Sequence, residues 1–154
     1  MQIRFYSTIE KYKILDNFTE CSFCSAEGFH CVRAWKTVEH YFQAMKSTDY
    51  DVQEWVRRAP TPGEAKQRGR SLKLRPEWEF IKEGVMLQAL RCKFAPGTEA
   101  AKVLISTGGA ELIEASPHDY YWGEGRDGTG QNRMGHLLMQ VRSEIMPKEE
   151  EVCE

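Results

Sequence analysis

Apolar residues recur at intervals of three and four along most of the chain and alternate only in short stretches near its start, a pattern that predicts a mainly helical fold with a minor β element. Trp78, Ile81, Val85, Ala89 and Leu90 form one face of a predicted central helix from Pro76 to about Phe94, and Met134, Leu137, Leu138, Val141 and Ile145 form the stripe of a last helix. Between and before them, polar start signals mark shorter helices. Thr37 is a candidate N-cap with Glu39 in the first turn, where a carboxylate suits the helix dipole. Asp51 to Arg58 reads as a second helix. Thr61-Pro62-Gly63-Glu64 supplies a capping hydroxyl, a proline at the first helical position and an acid at the third, and Thr98 opens a helix that stops before Gly108-Gly109. Ile3 to Tyr6 and Phe29 to Trp35 carry the aromatic and β-branched residues of strands and are expected to pair with each other, with a further short strand over Glu111 to Ala115. The expectation is a compact bundle of about five to six helices with a small β element near the N-terminus.

No repeat, linker or composition break divides the chain, so residues 1–148 are read as one domain and the acidic run 149–154 as a solvated tail. A length of 154 residues with 41% hydrophobic and 29% charged content is ordinary for one globular domain. A formal net charge of −2 argues against bulk attraction to nucleic acid or membrane, although a local patch can still act. No apolar run approaches the roughly 20 residues that span a bilayer, and Met1-Gln2-Ile3-Arg4-Phe5 lacks the apolar segment of a signal peptide, so the expected compartment is cytosolic and no membrane partner is predicted. The five cysteines are read as reduced thiols. Cys21, Cys24 and Cys31 invite a zinc reading, but the nearest fourth ligand, His30, sits directly beside Cys31. That spacing is unusual for a structural site, so no metal is assigned.

Chemistry concentrates in two places. Glu39 and Lys46 lie seven residues apart, about two helical turns, so they are expected on one face roughly 10 Å apart with Gln43 between them. The residues separating them are mostly aromatic or apolar, which predicts a buried helix, and buried charges need partners. The second cluster, Ser116 to Gly125, places Asp119, Trp122 and Glu124 in a glycine-bounded loop. The glycine-rich string that follows, Gly123 to Gly135, leads into a helix whose N-terminus is a weak candidate for an anion, although it matches neither a dinucleotide fingerprint nor a P-loop. A third feature is a basic arc from Arg57 to Arg75, in which Lys66 and Arg70 stand four apart on one helix and can face a phosphate together.

With these residues in view, the chain resembles the NADAR family, also called YbiA-like. The match runs through Phe5-Tyr6, Asn17-Phe18, Glu39-His40-Tyr41-Phe42-Gln43-Ala44 with Lys46, Gly69-Arg70, Trp78, Met86, Lys93-Phe94, Asp119, Trp122-Gly123-Glu124-Gly125, Gly130, Asn132-Arg133 and Leu138-Met139. The resemblance implies a compact helical domain that hydrolyses N-glycosidic bonds between ribose C1 and a base nitrogen. The substrate is then either a phosphorylated ribosylaminopyrimidine intermediate of riboflavin biosynthesis or ADP-ribose attached to guanine in DNA or RNA. It makes Glu39, Lys46, Asp119 and Trp122 the catalytic candidates, with Asn17, Phe18, Gln43, Arg70, Trp78, Gly123, Gly125 and Asn132 as substrate contacts, and it calls for no cofactor. Asp16 stands where a serine is common in the family, and the Cys21-Ser22-Phe23-Cys24 segment is not a family mark.

Two mechanisms fit these residue types. A neutral lysine amine can capture the ring-opened sugar as a Schiff base, with Glu39 or Asp119 moving protons and Trp122 stacking on sugar or base. Alternatively, two carboxylates stabilise an oxocarbenium-like state and direct water at C1, with Lys46 on a phosphate or hydroxyl. A different class, a non-catalytic module that binds ADP-ribose or a related nucleotide, uses the same pocket. The presence of the complete set Glu39, Lys46 and Asp119 favours catalysis. Nothing in the chain indicates self-association, so a monomer is the default.

Overall fold

The computed structural model of the chain describes residues 1–6, 10–27 and 31–148. The acidic tail and the side chains of His30 and Cys31 lie outside the described residues, and so does Phe29.

The elements follow in the order β1 (Gln2–Phe5), a 3₁₀ helix (Glu10–Leu15), β2 (Phe23–Glu27), β3 (Cys31–Trp35), α1 (Val38–Ala44), α2 (Tyr50–Arg57), α3 (Pro62–Arg70), α4 (Trp78–Lys93), α5 (Glu99–Ser106), β4 (Glu111–Glu114) and α6 (Arg133–Ile145). The predicted start signals act as caps. The hydroxyl of Thr37 accepts from the His40 amide, that of Thr61 from Glu64 and that of Thr98 from Ala101, each satisfying a donor that the first turn leaves free.

The strand pairing differs from the expectation. β1 pairs in parallel with β4, Ile3 opposite Leu112, and β3 pairs antiparallel with β2, Phe23 opposite Trp35. β1 and β3 therefore belong to two separate two-stranded sheets. Side-chain burial explains the choice: Phe23 and Trp35 are both buried, and the indole N–H of Trp35 donates to the Ser25 hydroxyl at 2.7 Å, so the polar-looking segment after Cys21 has an inward face.

Every residue of α1 is buried, and the helix packs against α2, α3, α4 and β3. Such a helix has to satisfy its polar side chains internally. The ring Nε2 of His40 lies 2.9 Å from the Ala59 carbonyl, which can only accept, so Nε2 carries the proton and Nδ1 accepts from the Thr37 hydroxyl at 2.7 Å. On the far side, the parallel β1–β4 pair and α6, whose Met134, Leu138 and Val141 are fully buried, close the core around Phe5, Leu90 and Leu112. Among the described residues, no helix is long and apolar enough to cross a membrane.

Candidate active site

α1, α3, the segment before β2 and the loop after β4 enclose a cleft of about 550 Å³. Glu39, Gln43 and Lys46 enter it from the α1 side, Lys66 and Arg70 from α3, Asp16, Asn17 and Phe18 from the segment after the 3₁₀ helix, and Ser116, His118, Asp119 and Trp122 from the loop. Tyr6, Phe42, Met86 and Glu114 complete the wall.

α1 ends two residues sooner than the pairing of Glu39 with Lys46 on one helix requires. Met45 is its C-cap, and Lys46 sits in the following turn, where its amide bonds to Gln43 O at 3.3 Å and its carbonyl accepts from the Arg75 amide at 2.9 Å. The backbone of Lys46 is thereby pinned and its half-buried side chain turned to the same cleft as Glu39. Burial holds the Lys46 ammonium below the usual lysine range. Glu39 opposes that effect, and the neighbouring Arg70 and Lys66 charges add to it.

Glu39 is 6% exposed and accepts the Gln43 side-chain N–H at 2.6 Å. Burial raises its carboxyl above the usual range, Asp16 adds to the rise, and the Gln43 bond, Lys66 and Lys46 restrain it. Gln43 can occupy this position because residue 69 is glycine: a methyl group on Gly69 of α3 would collide with the Gln43 side chain.

The loop acid is held differently. Asp119 Oδ1 accepts the amides of Tyr121 at 2.9 Å and Trp122 at 2.7 Å, an Asx turn that fixes the carboxylate and aims the indole. Trp122 packs edge-on against Phe42, with ring centroids 5.5 Å apart, and against Tyr121 at 4.9 Å.

Asn17 Nδ2 makes only weak contacts, at 3.5 Å, to the sulfurs of Met86 and Met134. Behind this segment, the buried Lys93 ammonium donates to the Asp16 carbonyl at 3.0 Å, and burial drops its pKa to about 8. Asp16 Oδ1 accepts the Phe18 amide at 2.8 Å, and burial raises the Asp16 carboxyl.

Buried polar atoms without partners are rare in folded proteins. Here Asp16 Oδ2, Asn17 Oδ1, Gln43 Oε1 and Glu114 Oε2 are all such atoms, and all four belong to residues lining this one cleft. Three cations at the cleft also lack an ion pair among the described residues. Arg68, Arg75, Arg91 and Arg133 are paired with glutamates, whereas Lys46, Lys66 and Arg70 have no ion-pair partner among the described residues. A polar ligand carrying an anionic group satisfies both sets.

Four predicted substrate contacts do not line the cleft. Trp78 is 4% exposed and packs tilted against Phe42, with ring centroids 5.0 Å apart. Gly123 packs between the carbonyls of Asp119 and Glu114, too close for a side chain, and Gly125 takes a left-handed φ of 69° beneath the Tyr120 ring. Asn132 spends its side chain on β4, donating to Leu112 O and accepting from the Glu114 amide, both at 2.9 Å. Nor is the α6 N-terminus open to an anion: the amides of Asn132, Arg133 and Met134 already donate to the carbonyls of Gly123, Tyr121 and Trp122. Among the described residues, no three His, Cys, Asp or Glu side chains gather in a metal-binding group.

The NADAR domain model matches residues 4–146. The chain belongs to the NADAR domain family. It is 41% identical over 145 residues to N-glycosidase YbiA of Escherichia coli (strain K12), covering 93% of this chain and 88% of that protein. It is also 40% identical over 157 residues to the chloroplastic riboflavin biosynthesis protein PYRR of Zea mays, covering 94% of this chain but only 25% of that longer protein. The NMR structure of E. coli YbiA superposes with a TM-score of 0.80 at 38% identity, covering 98% of this chain and 93% of that one, and it shares this mainly helical NADAR fold.

Sequence reasoning nominated Lys66 as an anion contact but missed Glu114. Its signal was present: side chains two apart on a strand share a face, and Leu112 is fully buried, so Glu114 also turns inward.

Proposed function

We propose that this chain hydrolyses the bond between ribose C1 and a base nitrogen in a small phosphorylated N-riboside of the ribosylaminopyrimidine kind. The reaction class rests on relatives named N-glycosidase that align over nearly the whole chain, and the substrate class draws on the riboflavin name of the maize relative. The observation that carries the reading is the juxtaposition, in one cleft, of a half-buried amine, several carboxyls and two further unpaired cations. Lys46, with its ammonium destabilised, supplies a neutral amine that attacks C1. Glu39 and Asp119 move protons for the entering water, and Trp122 lies against sugar or base. Lys66 and the exposed Arg70, one turn apart on α3, receive the phosphate.

A net charge of −2 and a cleft of about 550 Å³ favour a small substrate over a long nucleic acid, which would need an extended basic surface. Removal of ADP-ribose from guanine breaks the same type of bond. Offering the chain a ribosylaminopyrimidine phosphate and, separately, an ADP-ribosyl-guanine oligonucleotide, with products read by mass spectrometry, distinguishes the two. Release of ribose 5-phosphate from the first substrate is expected. ADP-ribose released from the second alone would reassign the substrate, and tight ADP-ribose binding without turnover would make the domain a sensor.

A further inference from the structure

Four carboxyl groups line the cleft, and three of them are visibly committed as acceptors. Glu39 Oε1 accepts from Gln43, Asp16 Oδ1 from the Phe18 amide, and Asp119 Oδ1 from the Tyr121 and Trp122 amides. Glu114 is the exception: no hydrogen bond to its side chain exists among the described residues, it has no ion-pair partner, and its Oε2 is buried. Its placement is nevertheless fixed. The Glu114 amide donates to Asn132 Oδ1 at 2.9 Å and its carbonyl accepts from the Glu124 amide at 2.9 Å, so the end of β4 is clamped from both sides.

A carboxylate needs donors, and this position offers none. A carboxylic acid needs only an acceptor for its O–H, which a substrate nitrogen or oxygen in the cleft supplies. The charged groups that face Glu114 are Asp119 from the loop, Asp16 from the segment after the 3₁₀ helix, Glu39 from α1 and Lys66 from α3, three acids against one cation. Neighbouring carboxyls that cannot all ionise divide into proton holders and proton acceptors, and that division assigns acid and base roles.

We propose that Glu114 is a further catalytic residue of this cleft, the acid that protonates the base nitrogen as its bond to ribose breaks. The inference rests on the N-riboside reading above. As Lys46 Nζ bonds to C1, the C1–N bond breaks, its electron pair stays on the base nitrogen, and that nitrogen takes the Glu114 proton. One proton of the new C1–N bond to lysine passes to the ring oxygen as the sugar opens to the iminium. Water then adds to C1, Lys46 departs as a neutral amine, and the proton released passes by way of Glu39 or Asp119 back to Glu114. The sum is N-riboside plus water giving sugar plus free amine, with the protein unchanged. Burial, reinforced by Asp119, Asp16 and Glu39, pushes the Glu114 carboxyl up to about 8, which keeps it protonated at neutral pH.

The test compares the wild-type chain with Glu114→Gln on a ribosylaminopyrimidine phosphate, recording kcat/KM from acid to alkaline pH, and repeats it with a ribose 5-phosphate N-glycoside whose base is a better leaving group. Glu114→Gln is expected to lose about 10²- to 10⁴-fold in kcat. It should also lose the fall in kcat/KM above about pH 8 and recover most of its rate on the better leaving group. Calorimetric titration with ribose 5-phosphate should give equal affinity for both proteins, which shows an intact site. A variant within about threefold of wild type, or one that keeps the alkaline fall, overturns the role of Glu114 alone. A wild-type chain that turns over neither compound overturns the N-riboside reading and this inference with it.

Discussion

Gln43 holds Glu39 by a 2.6 Å hydrogen bond inside α1, and the side-chain Oε1 of the same glutamine is buried without a partner among the described residues. On the proposed reading, the substrate supplies the missing donor to Gln43. An unpaired buried acceptor costs about 1–3 kcal/mol, which a substrate donor at this position would offset. Glu39→Gln removes a carboxyl that burial disfavours in its charged form. We expect an activity loss of about 10²- to 10⁴-fold with a melting temperature equal to or above that of wild type. Parallel kinetics and thermal melts check this, and a variant that melts much lower would show that Glu39 serves the fold instead.

Lys66 and Arg70 are expected to act on binding and not on the chemical step. Alanine at either position should raise KM for a phosphorylated N-riboside by about 10- to 100-fold, the worth of one charge-assisted hydrogen bond. The dephosphorylated riboside should be nearly indifferent to both changes. Equal losses on the two substrates would remove the phosphate from this end of the cleft.

Stability should fall with pH through neutrality because of Glu114. Its carboxyl is raised from the usual 4.5 to about 8, so between those values the folded chain holds a proton that the unfolded chain has released, and folding weakens as pH rises. Lys93 acts in the opposite sense at higher pH. Its ammonium is lowered from 10.5 to about 8, so between those values the unfolded chain binds the extra proton and folding strengthens with pH. Because Glu114 is only half-buried as a residue, water tempers its effect, and Glu114→Gln should flatten the slope between pH 5 and 8 by about 2–3 kcal/mol. Lys93→Met should flatten the alkaline rise. Denaturant titrations across pH measure both.

Gly69→Ala tests how closely α3 must approach α1. The added methyl group meets Gln43, so we expect a loss of about 1–3 kcal/mol, or roughly 2–4 °C in melting temperature for each kcal/mol, together with reduced activity from a displaced Gln43. Unchanged melting and activity would show that Gln43 has another place to go.

Much of this fold was legible in local signals. Thr37, Thr61 and Thr98 cap helices because a hydroxyl before a helix has one nearby use, and the stripes of α4 and α6 face the core because period fixes direction. The strand pairing was not legible. Met1–Phe5 meets Glu111–Glu114 across nearly the whole chain, and no turn or register signal links segments so far apart. At the site, Glu39, Lys46, Asp119 and Trp122 were named as a motif and do line one cleft. Asn132 and the glycines were motif residues as well, but their chemistry goes into holding the loop against β4. A motif does not distinguish a group that touches a ligand from one that holds its neighbour in place.

The most direct test of the account is to add borohydride to the wild-type chain while it turns over a ribosylaminopyrimidine phosphate, and to map any adduct by mass spectrometry. A ribose 5-phosphate adduct on Lys46 that is absent from Lys46→Arg is expected. Turnover with no adduct on Lys46 would contradict it and leave water as the group that attacks C1.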